Sequence, residues 1–307
     1  MKPFRSSLVL TLSAFALSLA SPVAANAKTT APKVVPPAQC IVSLSPTATN
    51  TLFAIGAGPQ VEAVDESSTY PAAAAALAQR HVINGLAPSL EGLLGICATS
   101  AKHPSTKPDL VILSYNPNNL AAQLTAQGVT VVEQDAPNDV QGALNQILQL
   151  GTLTGHVAKA TAIANAMRTQ ITAAEASILP HAGAPISVYY EVSTNPYYSL
   201  TSNTFVGSVM KAMGLVNIAD AVATSADYGY PELSAEYIIH ASPSIIFLAG
   251  DDTRTNLSKR SGFGGISAVK TRDVVMLNAD VASQWGPRFA TLVKAIAAEV
   301  NRYIANN

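Results

Sequence analysis

The chain has 307 residues, 49% hydrophobic and 12% charged, with 18 Lys+Arg against 19 Asp+Glu. That apolar content excludes a disordered chain, and the lack of a basic tract argues against nucleic acid as a partner. The first 27 residues read as a secretory signal peptide. Lys2 and Arg5 give a basic start, residues 7–20 carry no charge and are mostly Leu, Ala, Val and Phe, and Ala25-Asn26-Ala27 is a small-x-small cleavage site. The apolar run is too short for a membrane span. Cys40 follows Pro36-Pro37-Ala38-Gln39, which is not a lipobox, so no lipid tail is expected. The expectation is a free monomer in the periplasm or another extracytoplasmic space. Cleavage removes Lys2 and Arg5 and leaves 16 Lys+Arg against 19 Asp+Glu, a charge of about −3. Residues 28–39, with three Pro and no apolar periodicity, read as a linker.

From Cys40 onward short apolar runs alternate with helical patterns. Strands are expected at 40–44, 61–64, 109–113 and 129–132, then again at 186–190, 244–248 and 274–277. Ser45-Pro46 opens a helix that stops at Gly56. Strands separated by helices imply an α/β protein with parallel sheets and right-handed crossovers. Residues 139–153 form a helical stretch interrupted at Gly151 and Gly155. Beyond it Ile163, Met167, Ile171, Ala174 and Ile178 recur at helical spacing until Pro180. A helix over 156–179 would span roughly 36 Å and is placed to join two lobes as a rigid spine. The alternative is a crossover helix within one large sheet. The expected organisation is an N-terminal lobe over 40–138, connecting helices over 139–180 and a C-terminal lobe over 181–307.

The two halves share a local pattern. Ser89-Leu90-Glu91 precedes an apolar helix and then the Pro108–Leu113 strand region; Ser234-Ala235-Glu236 precedes an apolar helix and then Pro243-Ser244-Ile245-Ile246-Phe247-Leu248. The first copy carries about ten extra residues, with Cys97 at their start. Two cysteines in an oxidising compartment point to one disulfide, Cys40–Cys97, the alternative being two buried thiols. A helix returning to a parallel sheet ends near the edge where Cys40 begins its strand, so the bridge is geometrically sensible.

Signatures of catalysis are sparse. There is no phosphate-binding loop, no dinucleotide fingerprint and no Gly-x-Ser-x-Gly elbow. Gly262-Phe263-Gly264-Gly265 reads as a turn, and His81, His103, His156, His181 and His240 lack metal-ligand spacing. No catalytic residue, resident metal or cofactor is expected. Aromatic residues are better placed, because ligands of open α/β lobes bind beyond the carboxyl ends of the strands. Tyr70, Tyr115, Tyr197, Tyr198 and Trp285 each follow an expected strand, and Tyr228 and Tyr230 precede the second Ser-x-Glu. Such side chains suit a large, partly apolar ligand with a few oxygens.

These segments together resemble the periplasmic binding proteins for cobalamin, ferric siderophores and haem. The resemblance runs over nearly the whole mature chain. It is carried by Ile41-Val42-Ser43-Leu44-Ser45-Pro46-Thr47-Ala48-Thr49 with Leu52-Phe53-Ala54-Ile55-Gly56, then Tyr70-Pro71, Pro88-Ser89-Leu90-Glu91, Lys107-Pro108-Asp109-Leu110-Val111, and Gly151-x-x-Thr154-Gly155. Asn217 after Gly214, Tyr230-Pro231-x-Leu233-Ser234-x-Glu236 and Gly286-Pro287-Arg288 complete it. The resemblance implies two Rossmann-like lobes joined by a single long α-helix, a ligand in the cleft between them, and delivery to an ABC importer. It also implies that Glu91 and Glu236 dock onto arginine pockets of the permease dimer. The bland alternative is that each is a helix-start carboxylate favoured by the helix dipole.

The implied cargo is a metal chelate. Gly286-Pro287-Arg288 and Tyr230-Pro231 are most similar to corrinoid binders, and the binding set expected is Tyr70, Tyr115, Tyr197, Tyr198, Tyr230, Trp285 and Arg288. Family members often carry Arg where this chain has Gln284, which weakens an anionic siderophore or propionate reading there. Ser67-Ser68-Thr69-Tyr70-Pro71 also resembles haem binders, in which the matching Tyr ligates iron. Lys259 and Arg260 read as solvated surface. Competing functions are an extracytoplasmic metal-dependent enzyme on the same scaffold and a receptor ectodomain that feeds no transporter.

Overall fold

In the computed structural model, residues 37–102, 105–250 and 252–307 are described; the expected signal peptide and linker residues 28–36 lie outside them. The apolar runs become parallel strands. In the N-terminal lobe β1 (Ile41–Leu44), α1 (Pro46–Ile55), β2 (Val61–Val64), α2 (Ala72–Arg80), α3 (Leu90–Gly95), β3 (Leu110–Leu113), α4 (Leu120–Ala126) and β4 (Thr130–Glu133) follow one another. The sheet order is β2-β1-β3-β4, all parallel. Every residue of β1, β2 and β3 is buried, as it must be for strands covered on both faces.

Two helices carry the chain across: α5 (Val140–Thr154) and α6 (Val157–Ala176). Gly155, at φ +77°, ends α5 and donates its N–H to the Gly151 carbonyl. Gly151 itself does not interrupt the helix, contrary to the expectation from sequence. It lets α6 approach, because a Cβ there would lie 2.3 Å from the Cβ of Ala160. The buried stripe of α6 is Ala160, Ala164, Met167, Ile171 and Ala174, with Ile163 and Ile178 partly buried beside it. The helix stops three residues short of 179, and its tail is tied down where Asn301 accepts from the Leu179 N–H and donates to the Ser177 carbonyl.

The C-terminal lobe comprises β5 (Ser187–Glu191), β6 (Tyr197–Tyr198), α7 (Phe205–Ala212), β7 (Val216–Asn217), β8 (Glu232–Leu233) and α8 (Ala235–Ala241). It continues with β9 (Ile245–Leu248), α9 (Arg254–Lys259), α10 (Ser267–Thr271), β10 (Val274–Met276), α11 (Ala279–Ala282) and α12 (Phe289–Asn306). Its main sheet, β10-β9-β5-β7, is also fully parallel, and β6 pairs antiparallel with β8. One buried cluster runs from Ile41 and Leu52 through Leu144 and Met167 to Val188, Phe205 and Phe289. The inner halves of the two lobes therefore share a core through α1, α5, α6 and α12, while each lobe packs its outer helices separately. Among the described residues no helix is long and apolar enough to cross a membrane.

Residues 37–39, which composition places in the linker, are held on this body. The Ala38 N–H donates to the Leu153 carbonyl, and the Gln39 and Cys40 N–H groups both donate to Oδ2 of Asp109, at 2.8 and 2.9 Å. The Asp109 of the Lys-Pro-Asp-Leu-Val motif thereby sets the entry of β1. Cys40 and Cys97 form a disulfide, Cα atoms 6.2 Å apart, that fastens the segment after α3 to the start of β1.

Candidate functional site

The carboxyl ends of the two sheets differ in chemistry. In the N-terminal lobe, hydroxyls bond one another: Ser68 donates to Thr49 at 3.0 Å, Thr49 to Ser43 at 2.9 Å, and Ser43 to the Ser45 carbonyl at 3.3 Å, all buried. Asp65, just past β2, is 3% exposed, and its Oδ1 has no partner among the described residues. Burial pushes its carboxyl above the ordinary range, and hydrogen bonds from Ser67 and Ser68 offset this only in part.

Tyr70 follows, half exposed, with the guanidinium of Arg288 over its ring at 4.0 Å. This cation–π contact joins the loop after β2 to the start of α12. Two residues earlier Gly286 lies against α1, where a Cβ would meet Thr51 Oγ1 at 3.3 Å and the Thr47 carbonyl at 3.4 Å. The Gly-Pro-Arg motif is thus the point at which the C-terminal segment closes onto the first helix and Tyr70.

In the C-terminal lobe the strand ends border a cavity of about 270 Å³, walled chiefly by Tyr190, Val192, Leu200, Phe205, Tyr230 and Trp285, with Ala136 contributed from beyond β4 and Gln284 beside Trp285. Trp285 is anchored by its indole N–H, which donates to Gln146 Oε1 of α5 at 2.6 Å. Burial raises the Tyr230 phenol above its ordinary pKa.

The expected aromatic set does not converge on one point. Tyr230 and Trp285 line the cavity, and Tyr70 and Arg288 form a pair with each other. Tyr197 turns instead toward Phe263, ring centroids 5.7 Å apart, with Arg260 over its face. Tyr198, Tyr115 and Tyr228 are exposed and are not among the residues lining the cavity. Sequence reading passed over Tyr190, which looks like one more buried strand residue; only its position at the carboxyl end of β5 marks it. Arg260 is a correction. Expected to be solvated, its side chain is 13% exposed and forks onto Glu191 at 2.6 and 2.7 Å, with Asp252 as a second partner. Its partner lies 69 residues away, so no local pattern could reveal the pair. Tyr189 donates to the same Glu191 carboxylate at 3.2 Å. Burial disfavours the Asp252 carboxylate, but the Thr253 N–H and Arg260 outweigh it and hold its pKa below the ordinary value.

Glu91 and Glu236 are both exposed in the first turn of α3 and α8. Each helix is capped in the same way. Ser89 accepts from the Gly92 N–H at 3.2 Å and Ser234 from the Tyr237 N–H at 3.1 Å. His103 lies outside the described residues, and among those described no group of three or more His, Cys, Asp or Glu is placed to hold a metal ion.

Known proteins agree with this architecture. The family model described as "Periplasmic binding protein" matches residues 41–281. A cobalamin-binding protein of Halobacterium salinarum is 28% identical over 273 residues, covering 86% of this chain and 69% of its own length. The crystal structure of the periplasmic vitamin B12-binding protein of Vibrio cholerae superposes with a TM-score of 0.72 at 25% identity, over 87% of this chain and 98% of the other. A periplasmic haem-binding protein of Roseiflexus sp. RS-1 shares the fold with a TM-score of 0.70 at 24% identity, over 87% and 99% of the two chains. With the model spanning both lobes and the helices between them, the chain belongs to the periplasmic binding protein family, as a solute-binding protein of the ABC-import class and not an enzyme.

Proposed function

We propose that this protein captures a corrinoid of the cobalamin class in the cleft between its lobes, after export by a cleaved signal peptide, and delivers it as a monomer to an ABC importer. The observation that carries the choice of ligand is the lining of the cavity. Gln284, not a cation, stands beside Trp285, and among the described residues no Lys or Arg lines the cavity. A neutral, amide-bearing chelate can enter such a wall, whereas a carboxylate would lose its hydration there without a counter-charge. Cobalamin-binding relatives covering most of the chain support the same reading.

Glu91 and Glu236 are the proposed contacts to the permease. Their matched exposure and matched Ser caps on the two lobes suit a two-fold symmetric partner, with charge-assisted pairs fixing the register. A haem or ferric siderophore cargo is the second reading, favoured by one feature. Tyr70 is half exposed just past the carboxyl end of β2, where its phenol oxygen is open to an iron centre.

The test is titration of the purified protein with cyanocobalamin, haem and ferric siderophores, following Trp285 fluorescence and visible absorption together. The protein has one Trp, and it lines the cavity. Saturable one-to-one quenching by cyanocobalamin alone is expected. An iron–tyrosinate band with haem, lost in Tyr70→Phe, would replace the corrinoid by haem.

A further inference from the structure

The cavity wall contains a group that the reading above does not use. Tyr190, in the penultimate position of β5, is 1% exposed, and among the described residues its hydroxyl has no hydrogen-bond partner. Its neighbour shows the contrast. Strand alternation sends Tyr189 to the opposite face, where its hydroxyl donates to Glu191. Burying a phenol without a partner is unfavourable; Phe would pack the same space and leave nothing unsatisfied. Other buried polar atoms also lack partners, on Asn50, Gln60, Asp65 and Arg288, but of this set only Tyr190 lines the cavity.

The cavity limits what can meet that hydroxyl. At about 270 Å³ it falls below the range of roughly 300–1,000 Å³ that holds a whole drug-sized ligand, so it takes one substituent of a large chelate. Among the described residues no Lys, Arg, Asp or Glu lines it, and the Trp285 N–H is already bonded to Gln146. Burial, and secondarily Tyr230, push the Tyr190 phenol well above its ordinary pKa, so it is a proton donor at any physiological pH.

We propose that Tyr190 is a specificity-determining residue of this site: the cavity accepts an uncharged, mostly apolar substituent of the ligand, and the Tyr190 hydroxyl donates a hydrogen bond to its acceptor atom. The inference rests on the cleft being the solute site but not on the solute being a corrinoid.

Wild-type protein and Tyr190→Phe are titrated calorimetrically with acetophenone, which is apolar with one acceptor, with ethylbenzene, which has none, and with benzoate, an anion of similar size. Wild type should bind acetophenone about two- to tenfold more tightly than ethylbenzene, the worth of one neutral hydrogen bond, and should bind benzoate more weakly than either. In Tyr190→Phe the preference for acetophenone should vanish while the melting temperature holds or rises, which loss of a structural contact would not produce. A preference that survives in Tyr190→Phe, benzoate bound as tightly as acetophenone, or no binding of any probe would overturn the proposal. Cyanocobalamin is run in parallel. Wild-type binding that Tyr190→Phe leaves unchanged removes this inference and keeps the corrinoid reading. A Tyr190-dependent preference for acetophenone without cyanocobalamin binding does the reverse.

Discussion

The two lobes repeat one plan and brace it by different chemistry. Each has a four-stranded parallel sheet and a short Ser-capped helix presenting a glutamate. The N-terminal lobe also carries a covalent tie, Cys40–Cys97, at the start of β1, and a chain of hydroxyls bonded to one another at the sheet's carboxyl end. The C-terminal lobe carries no disulfide; it has a buried ion-pair network of Glu191, Arg260 and Asp252 beside an apolar cavity with an unpaired phenol. The hydroxyls of Ser43, Thr49 and Ser68 spend their hydrogen bonds on one another, although Asp65 beside them keeps Oδ1 unpartnered among the described residues, whereas the apolar cavity of the other lobe can use both burial and the Tyr190 donor. Under the proposed function, the C-terminal lobe would carry most of the apolar recognition, and Glu91 and Glu236 would make the outer surfaces equivalent.

The equivalence of the outer surfaces is the comparison with the most to lose. Glu91→Ala with Glu236→Ala should reduce uptake by more than about tenfold, since removing one member of a charge-assisted interfacial pair costs roughly 2–5 kcal/mol. Each single change should fall between, and solute affinity of the purified protein should not move. A large effect from one glutamate and none from the other would mean that the repeat does not extend to docking.

Next in size is the covalent brace. Cys40→Ser with Cys97→Ser opens a loop of sequence separation 57 and should cost about 4 kcal/mol in denaturant unfolding by the chain-entropy model. Hydrogen exchange should rise most in α3 and the segment after it. Equal acceleration in α8 would show that the shared core makes the lobes a single cooperative body.

The ionic brace should come close behind. Glu191→Gln leaves Arg260 in its buried position with Asp252 as its one remaining acidic partner among the described residues. Breaking a buried pair from one side costs about 3 kcal/mol. Reducing agent should add to the effect of Glu191→Gln in full if the braces are independent, and less than additively if they meet through the core.

How much of this could be read from sequence depended on whether the signal was local. Ile41-Val42-Ser43-Leu44, Leu110-Val111-Ile112-Leu113 and Ile245-Ile246-Phe247-Leu248 are visible because a strand buried on both faces is continuously apolar, and these are buried throughout. The stripe of α6 is visible because a helix facing a core repeats every three or four residues. The two-residue strands β6, β7 and β8 carry too few residues for any period. Arg260 looked like surface because the helix it follows is polar, and the groups that bury it, Glu191 and Tyr197, come from distant segments. Strand alternation gives the face on which Tyr190 lies; that its hydroxyl is unpaired depends on what packs there, which no pattern encodes.

The smallest predicted effects set two carboxyls against each other in sign. Asp65 in the N-terminal lobe has its folded pKa raised above 3.8, chiefly by burial. The folded state therefore holds that proton more tightly than the unfolded chain does. The stability it contributes is complete below 3.8 and is lost as pH rises through the raised value. Asp252 in the C-terminal lobe has its folded pKa lowered, burial being outweighed by the Thr253 N–H and Arg260. It contributes stability above 3.8 that is lost as pH falls through the lowered value. Asp65→Asn should thus raise stability at neutral pH and flatten the curve on the side above 3.8. Asp252→Asn should lower stability at neutral pH and flatten the curve on the acid side. Melting temperatures from pH 3 to 8 check both. If the two variants shift the curve in the same direction, the lobes do not differ in how they treat a buried carboxylate, and the contrast between a self-satisfied lobe and an ion-paired one would have to be drawn elsewhere.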